Sequence, residues 1–227
     1  MWAVLHHTAS AKVAYASPPD WLEMQAWRRL LGAGDLFVDV GANAGTYSVW
    51  AADLGADVVA VEPGDEARRL LLDNVSLNPG AVVAVLACAL GSEAGSMGFT
   101  EGLDATNHLL PGAAGGFRVE VRTLDEVLGA RVAAGVKVDV EGAERLVLEG
   151  AERALSEGRI MVLQLEWNAM SHEVLGEDRR PVAEILTRHG YELCRPDTNG
   201  RLHPVSDRGY GDDVFAVLRR DSPAVTT

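Results

Sequence analysis

The 227 residues are 48% hydrophobic and 23% charged, ordinary globular values that exclude a disordered or fibrous chain and suffice for one domain with its own core. Thirty-three acidic residues against 20 basic ones leave a net charge of −13. Such a surface repels phosphate backbones and anionic lipid, so neither nucleic acid nor membrane is an expected partner. Cys88 and Cys194 are the only cysteines, too few for a secreted disulfide framework. The longest apolar run, Ala81 to Leu90, is about half a membrane span. Ala14-Tyr15-Ala16 looks like a signal cleavage site, but no basic region precedes it and His6, His7 and Lys12 interrupt any apolar segment. The expectation is a cytoplasmic protein, monomer or homodimer, with one domain over 19–220, a tail or lid over 1–18 and a tail over 221–227. Eighteen of the 20 basic residues are arginine, which with abundant Ala, Gly and Val suggests a GC-rich bacterial source.

In chain order, Leu36 to Val40 is a short apolar run bounded by Gly34-Asp35 and Gly41, which predicts a buried strand. Tyr47 to Leu54 reads as a helix and Val58 to Val61 as a second strand. Asp65 to Asn78 is a helix with Leu70, Leu71 and Val75 on one face, stopped by Pro79-Gly80. A third strand follows at Val82 to Ala87. Residues 91–122 break into a Gly-rich loop and short alternating pieces, an insertion suited to a hairpin. Thr123 and Glu126 form a capping box for a helix over Leu124 to Leu128. Strand Val136 to Val140, helix Gly142 to Leu155 and strand Ile160 to Glu166 come next, then a helix near Pro181 to His189 and paired strands Tyr191 to Cys194 and Val214 to Leu218. Strands alternating with helices predict a doubly wound, mostly parallel sheet with one antiparallel strand near its end.

In such sheets ligands sit beyond the carboxyl ends of the strands. Four acids fall there: Asp39, Glu62, Asp139 and Glu166. Asp65 and Glu141 read instead as first-turn helix acids, whereas Asp39 lies inside an apolar strand. The turn Asp39-Val-Gly-Ala-Asn-Ala-Gly45 has a G-x-x-x-G spacing. It lacks the second glycine with which a dinucleotide fingerprint approaches a pyrophosphate, which counts against an NAD-type oxidoreductase. Asp39 would repel a pyrophosphate and attract an ammonium. Glu62, 23 positions after Asp39, is placed to accept hydrogen bonds from ribose hydroxyls. A nucleoside bearing an ammonium and a sulfonium is S-adenosylmethionine (AdoMet).

The segments Phe37-Val-Asp-Val-Gly-Ala-Asn-Ala-Gly-Thr-Tyr47, Val61-Glu62-Pro63, Arg122-Thr-Leu-Asp-Glu126 and Lys137-Val-Asp-Val-Glu-Gly-Ala-Glu144 together resemble the FkbM family of class I methyltransferases over residues 20 to 218. The resemblance implies a Rossmann-like seven-stranded sheet with the last strand antiparallel. It also implies O-methylation of small molecules such as sugars or polyketides in natural-product biosynthesis. By the same resemblance, Asp39, Gly41 and Asn43 surround the methionine part, Gly45 also belongs to the cofactor site, Glu62 holds the ribose, Cys88-Ala89-Leu90 line the adenine, and Asp139 sits near the methyl group.

A hydroxyl acceptor must lose its proton, and Asp139, Glu166 and His172 are the candidate bases. His108 with Asn107 is a second possibility, while His6 and His7 read as tail residues. N-methylation of a small molecule is the alternative. Asp139, Glu166 and Asn168 offer hard oxygen atoms that suit Mg²⁺, a variant left open. Trp167, Cys88 and Cys194 read as packing residues.

Overall fold

The computed structural model describes residues 20–100, 107–110, 117–205 and 213–219. The expected tails at 1–18 and 221–227, with His6 and His7, lie outside the described residues. An eight-stranded sheet forms the centre. Its strands are β1 (Leu36–Val40), β2 (Asp57–Val61), β3 (Val83–Leu86), β8 (Ala133–Val138), β9 (Ile160–Leu165), β10 (Tyr191–Pro196), β11 (Leu202–Pro204) and β12 (Val214–Leu218). Their order is β11-β10-β12-β9-β8-β1-β2-β3. From β3 to β9 all pairings are parallel, and β12 runs antiparallel to both β9 and β10. The antiparallel pairing of Tyr191–Pro196 with Val214–Leu218 was legible in the sequence. The eighth strand was not: β11 is three residues long and, among the described residues, pairs only with β10.

Strand alternation divides the side chains between two faces. One face packs Val38, Val40, Val136, Val138, Leu163 and Leu165 under helices α4 (Leu124–Leu128), α5 (Glu144–Glu149), α6 (Glu152–Ser156) and α8 (Arg180–Arg188). The other face packs Phe37, Val58 and Val162 under α1 (Trp21–Leu30) and α2 (Thr46–Asp53), with Leu71 of α3 (Asp65–Ser76) on Ala60. Trp27 of α1, a helix the sequence reading did not contain, is fully buried and meets Phe37 edge-on at 5.0 Å. The remaining short helix, α7, spans Met170–Val174.

The insertion after β3 becomes a second small sheet of β4 (Ala89–Leu90), β5 (Gly95–Phe99), β6 (Leu109–Leu110) and β7 (Phe117–Arg122), ordered β4-β7-β5-β6. The helix expected over 142–155 is instead two, α5 and α6. A Cβ at Gly150 would lie 2.1 Å from the Gly91 carbonyl oxygen, so the chain bends there to let the loop after β4 pass. The Thr123 capping box is present: Thr123 Oγ1 accepts from Glu126 N at 3.1 Å and Glu126 Oε2 accepts from Thr123 N at 3.0 Å. Trp167 is fully buried, as expected of a core residue, with the Arg179 guanidinium 6.0 Å from its ring.

Candidate active site

A cavity opens beyond the carboxyl ends of β1, β2, β8 and β9. Its walls include Asp39, Gly41, Asn43, Glu62, Cys88, Ala89, Asp139 and Glu166, so the four rim carboxylates do converge. Gly45 and His172 are not among the lining residues; Ala44 and Thr46 stand on either side of the former. Asn107 and His108 reach the cavity from the small sheet, together with Phe99 and Leu109.

The turn after β1 is shaped by a close approach. Gly41 has φ +80°, and a Cβ there would lie 1.8 Å from the Asp139 carbonyl oxygen. Glycine is therefore required by the neighbouring β8 loop, with no need to invoke a ligand. Two non-glycine residues on the wall, Asn43 (φ 48°) and Glu141 (φ 53°), also adopt the left-handed region, the kind of local strain that collects at functional sites.

Asp39 is 1% exposed. Its Oδ2 accepts from Ser48 Oγ at 2.6 Å, while Oδ1 is buried without a hydrogen-bond partner among the described residues. Burial raises its pKa, against the pull of the Lys137 charge and the Ser48 hydroxyl. Glu62 closes β2 and braces the glycine turn: Oε2 accepts from Asn43 N at 2.9 Å and Oε1 from Gly64 N at 2.7 Å. Burial pushes its carboxyl up to about 6, restrained by those two N–H groups. Glu166 is pushed up to about 9 by burial and then by the nearby Asp139, Glu141 and Glu144 carboxylates. Its Oε2 has no hydrogen-bond partner among the described residues.

Two residues depart from the expected roles. Glu141 lines the cavity and does not cap the next helix. Glu144 is that helix's first-turn acid and braces the loop before it, its Oε1 accepting from Gly142 N at 3.1 Å and Val140 N at 3.3 Å while its other oxygen pairs with Arg179 in a fully buried ion pair. Asn168 is drawn away from the acids. Its Oδ1 accepts from Met170 N at 2.8 Å and Arg179 Nη2 at 3.2 Å. Carboxylate oxygens of Asp139, Glu141 and Glu166 lie within 4.8 Å of one another, so Glu141 joins the acids considered for Mg²⁺, while the Asn168 oxygen is already engaged.

Lys137 was the residue missed. It is 4% exposed, lines the cavity and donates from Nζ to Asp139 Oδ2 at 2.6 Å. The signal was available: one of just two lysines stands between Val136 and Val138 in an apolar strand. Burial opposes its charge, but Asp139, Asp39 and Asp213 together raise its pKa above the ordinary value.

No curated protein matches the chain in sequence. Among solved structures it is similar to magnesium protoporphyrin IX methyltransferase from Synechocystis PCC 6803 with bound SAM, at 13% identity and TM-score 0.54, covering 93% of this chain and 84% of that one. It is also similar to a TehB-like SAM-dependent methyltransferase from Corynebacterium glutamicum, at 14% identity and TM-score 0.52, covering 92% and 94%. Both likenesses concern the fold. The family model of the methyltransferase FkbM domain matches residues 39–193, more than half of the chain, which excludes the NAD-type reading. The cofactor is accordingly AdoMet, and the chain belongs to the FkbM methyltransferase family.

Proposed function

We propose that this methyltransferase transfers the methyl group to a hydroxyl of a small-molecule acceptor, such as a sugar or polyketide intermediate, in the cytoplasm of a bacterium that makes natural products. The observation that carries the reading is the convergence of Asp39, Glu62, Asp139 and Glu166 on one cavity. The residues present fit AdoMet: the buried, unpartnered Oδ1 of Asp39 suits an ammonium, Glu62 a ribose diol, and Cys88, Ala89 and Leu90 an adenine face. When bound, AdoMet supplies an electrophilic methyl on a positively charged sulfur.

The chain's own task is to hold the acceptor in line and take its proton. Glu166 is the base in this reading. Raised to about 9 by burial, its carboxyl is a stronger base than an ordinary one but accepts a proton only once ionised, so turnover should climb as the pH rises toward 9; Asp139 beside it helps orient the acceptor hydroxyl. His172 has no part in the reading because it does not line the cavity. The acid-rich wall, like the net charge of −13, repels phosphate, which favours a small neutral acceptor over RNA.

The test is incubation of the whole chain with methyl-labelled AdoMet and separate panels of polyols and phenols, of amines, and of total RNA. Label in an ether product supports the reading. Label confined to an amine turns it to N-methylation, and label confined to RNA overturns the small-molecule acceptor.

A further inference from the structure

The register of the central sheet sets Lys137 opposite Asp39 on β1 and opposite Gln164 on β9. These three polar side chains therefore form one row across the face under α1 and α2. At the far end of the row Gln164 is engaged, donating from Nε2 to the Tyr47 hydroxyl at 3.1 Å and to Asp213 Oδ2 at 2.6 Å. At the near end the ammonium of Lys137 turns to Asp139 and lies 4.7 Å from the centre of the Tyr47 ring. Lys137 is the only Lys or Arg on the cavity wall among the described residues.

A buried ammonium is costly unless it is paired, so a single lysine among the wall acids calls for a reason. Asp39, Lys137 and Asp139 carry two negative charges and one positive. With Lys137 committed to Asp139, one negative charge remains, on Asp39, whose Oδ1 has no hydrogen-bond partner among the described residues.

We propose that Lys137 and Asp139 act as a neutral pair that parks the ammonium away from Asp39, leaving Asp39 Oδ1 as the open acceptor for the cofactor's ammonium; Lys137 is thus a positioning residue. This rests on the assignment of Asp39 to the methionine end of AdoMet. Without Asp139, Lys137 turns to its neighbour across the register, occupies Asp39 and competes with the ligand. Without Lys137, the attraction that opposes protonation of Asp39 is gone while the repulsion from Asp139 remains, and a proton on Asp39 spoils the acceptor. With both neutralised, Asp39 again stands alone with a single charge.

The experiment is calorimetric titration of the whole chain with AdoMet, and separately with its demethylated product, which shares the ammonium and lacks the sulfonium. Wild type is compared with Lys137→Met, Asp139→Asn and the double variant. Each single change weakens both ligands about tenfold or more, whereas the double variant recovers to within about threefold of wild type. A merely structural lysine would lower the melting temperature and leave no such recovery. If Lys137→Met fails to fold, Asp139→Asn against the double variant carries the same contrast, because the double must bind more tightly. Losses that multiply, or single variants that bind like wild type, overturn the pairing. A wild type that takes up neither ligand overturns the assignment of Asp39 itself, and the pairing with it.

Discussion

The two faces of the central sheet are made from the same strands and do different things. Under α4, α5, α6 and α8 the strands present Val38, Val40, Val136, Val138, Leu163 and Leu165 to one continuous apolar cluster. Under α1 and α2 the intervening positions present Phe37, then Asp39, Lys137 and Gln164. Because side chains alternate along a strand, a polar row can cross one face without interrupting the other. Stability and ligand chemistry are therefore separated by the parity of sequence position. Substitutions on the first face should unfold the protein and spare its ligand, and those on the second should do the reverse.

The largest effect is expected where the faces meet. Gly41→Ala sets a methyl group 1.8 Å from the Asp139 carbonyl and strains a φ of +80°, so it should cost at least about 3 kcal/mol and weaken AdoMet as well, read by denaturant unfolding and calorimetry. Leu163→Ala, at a position with no exposure, should cost about 3 kcal/mol and leave the affinity of the folded protein unchanged. A tenfold loss of affinity there would erase the division between the faces.

Glu166→Gln comes next and should stabilise. Its folded pKa is raised from 4.5 to about 9. Such a group favours the folded state fully below 4.5, and that contribution is lost as the pH climbs toward 9. Glutamine mimics the protonated form at every pH. Melting temperatures of variant and wild type should thus coincide below pH 4.5 and separate in the variant's favour by pH 8.5. Coincidence across the range would mean that Glu166 is solvated after all.

Much of this arrangement could be read from residue order. Leu36–Val40 and Val214–Leu218 are bounded by the residues the sequence indicates, since short apolar runs between turn residues leave little choice. The four rim acids were legible for the same reason, as each stands in or just after such a run. What was not legible depends on contacts between distant segments. Gly150 stands where the Gly91 carbonyl leaves no room for a Cβ, and the Asn168 oxygen is taken up by Met170 N and Arg179. Glu141 was read as a helix acid because its left-handed φ has no local sequence mark. Lys137 was overlooked because a lone charge in an apolar strand acquires meaning from the neighbouring strand, which sequence order does not supply.

Glu62 gives the smallest effect and the finest test of the division, because it serves both roles. Its oxygens accept from Asn43 N and Gly64 N, which braces the turn, and its remaining lone pairs face the cavity. Its pKa is raised from 4.5 to about 6, so the free protein gains stability from this group as the pH falls from 6 to 4.5. Protonation also spoils an acceptor, so AdoMet affinity should fall over the same interval. Stability and affinity then move in opposite directions across one pH window, which a general acid-induced loosening cannot imitate. Glu62→Gln should weaken AdoMet about tenfold at pH 8, about 1.4 kcal/mol, because an amide turns one of the two acceptors into a donor. It should also flatten the affinity profile between pH 4.5 and 6.5. An undiminished pH dependence in that variant would move the ribose contact to another acid on the wall.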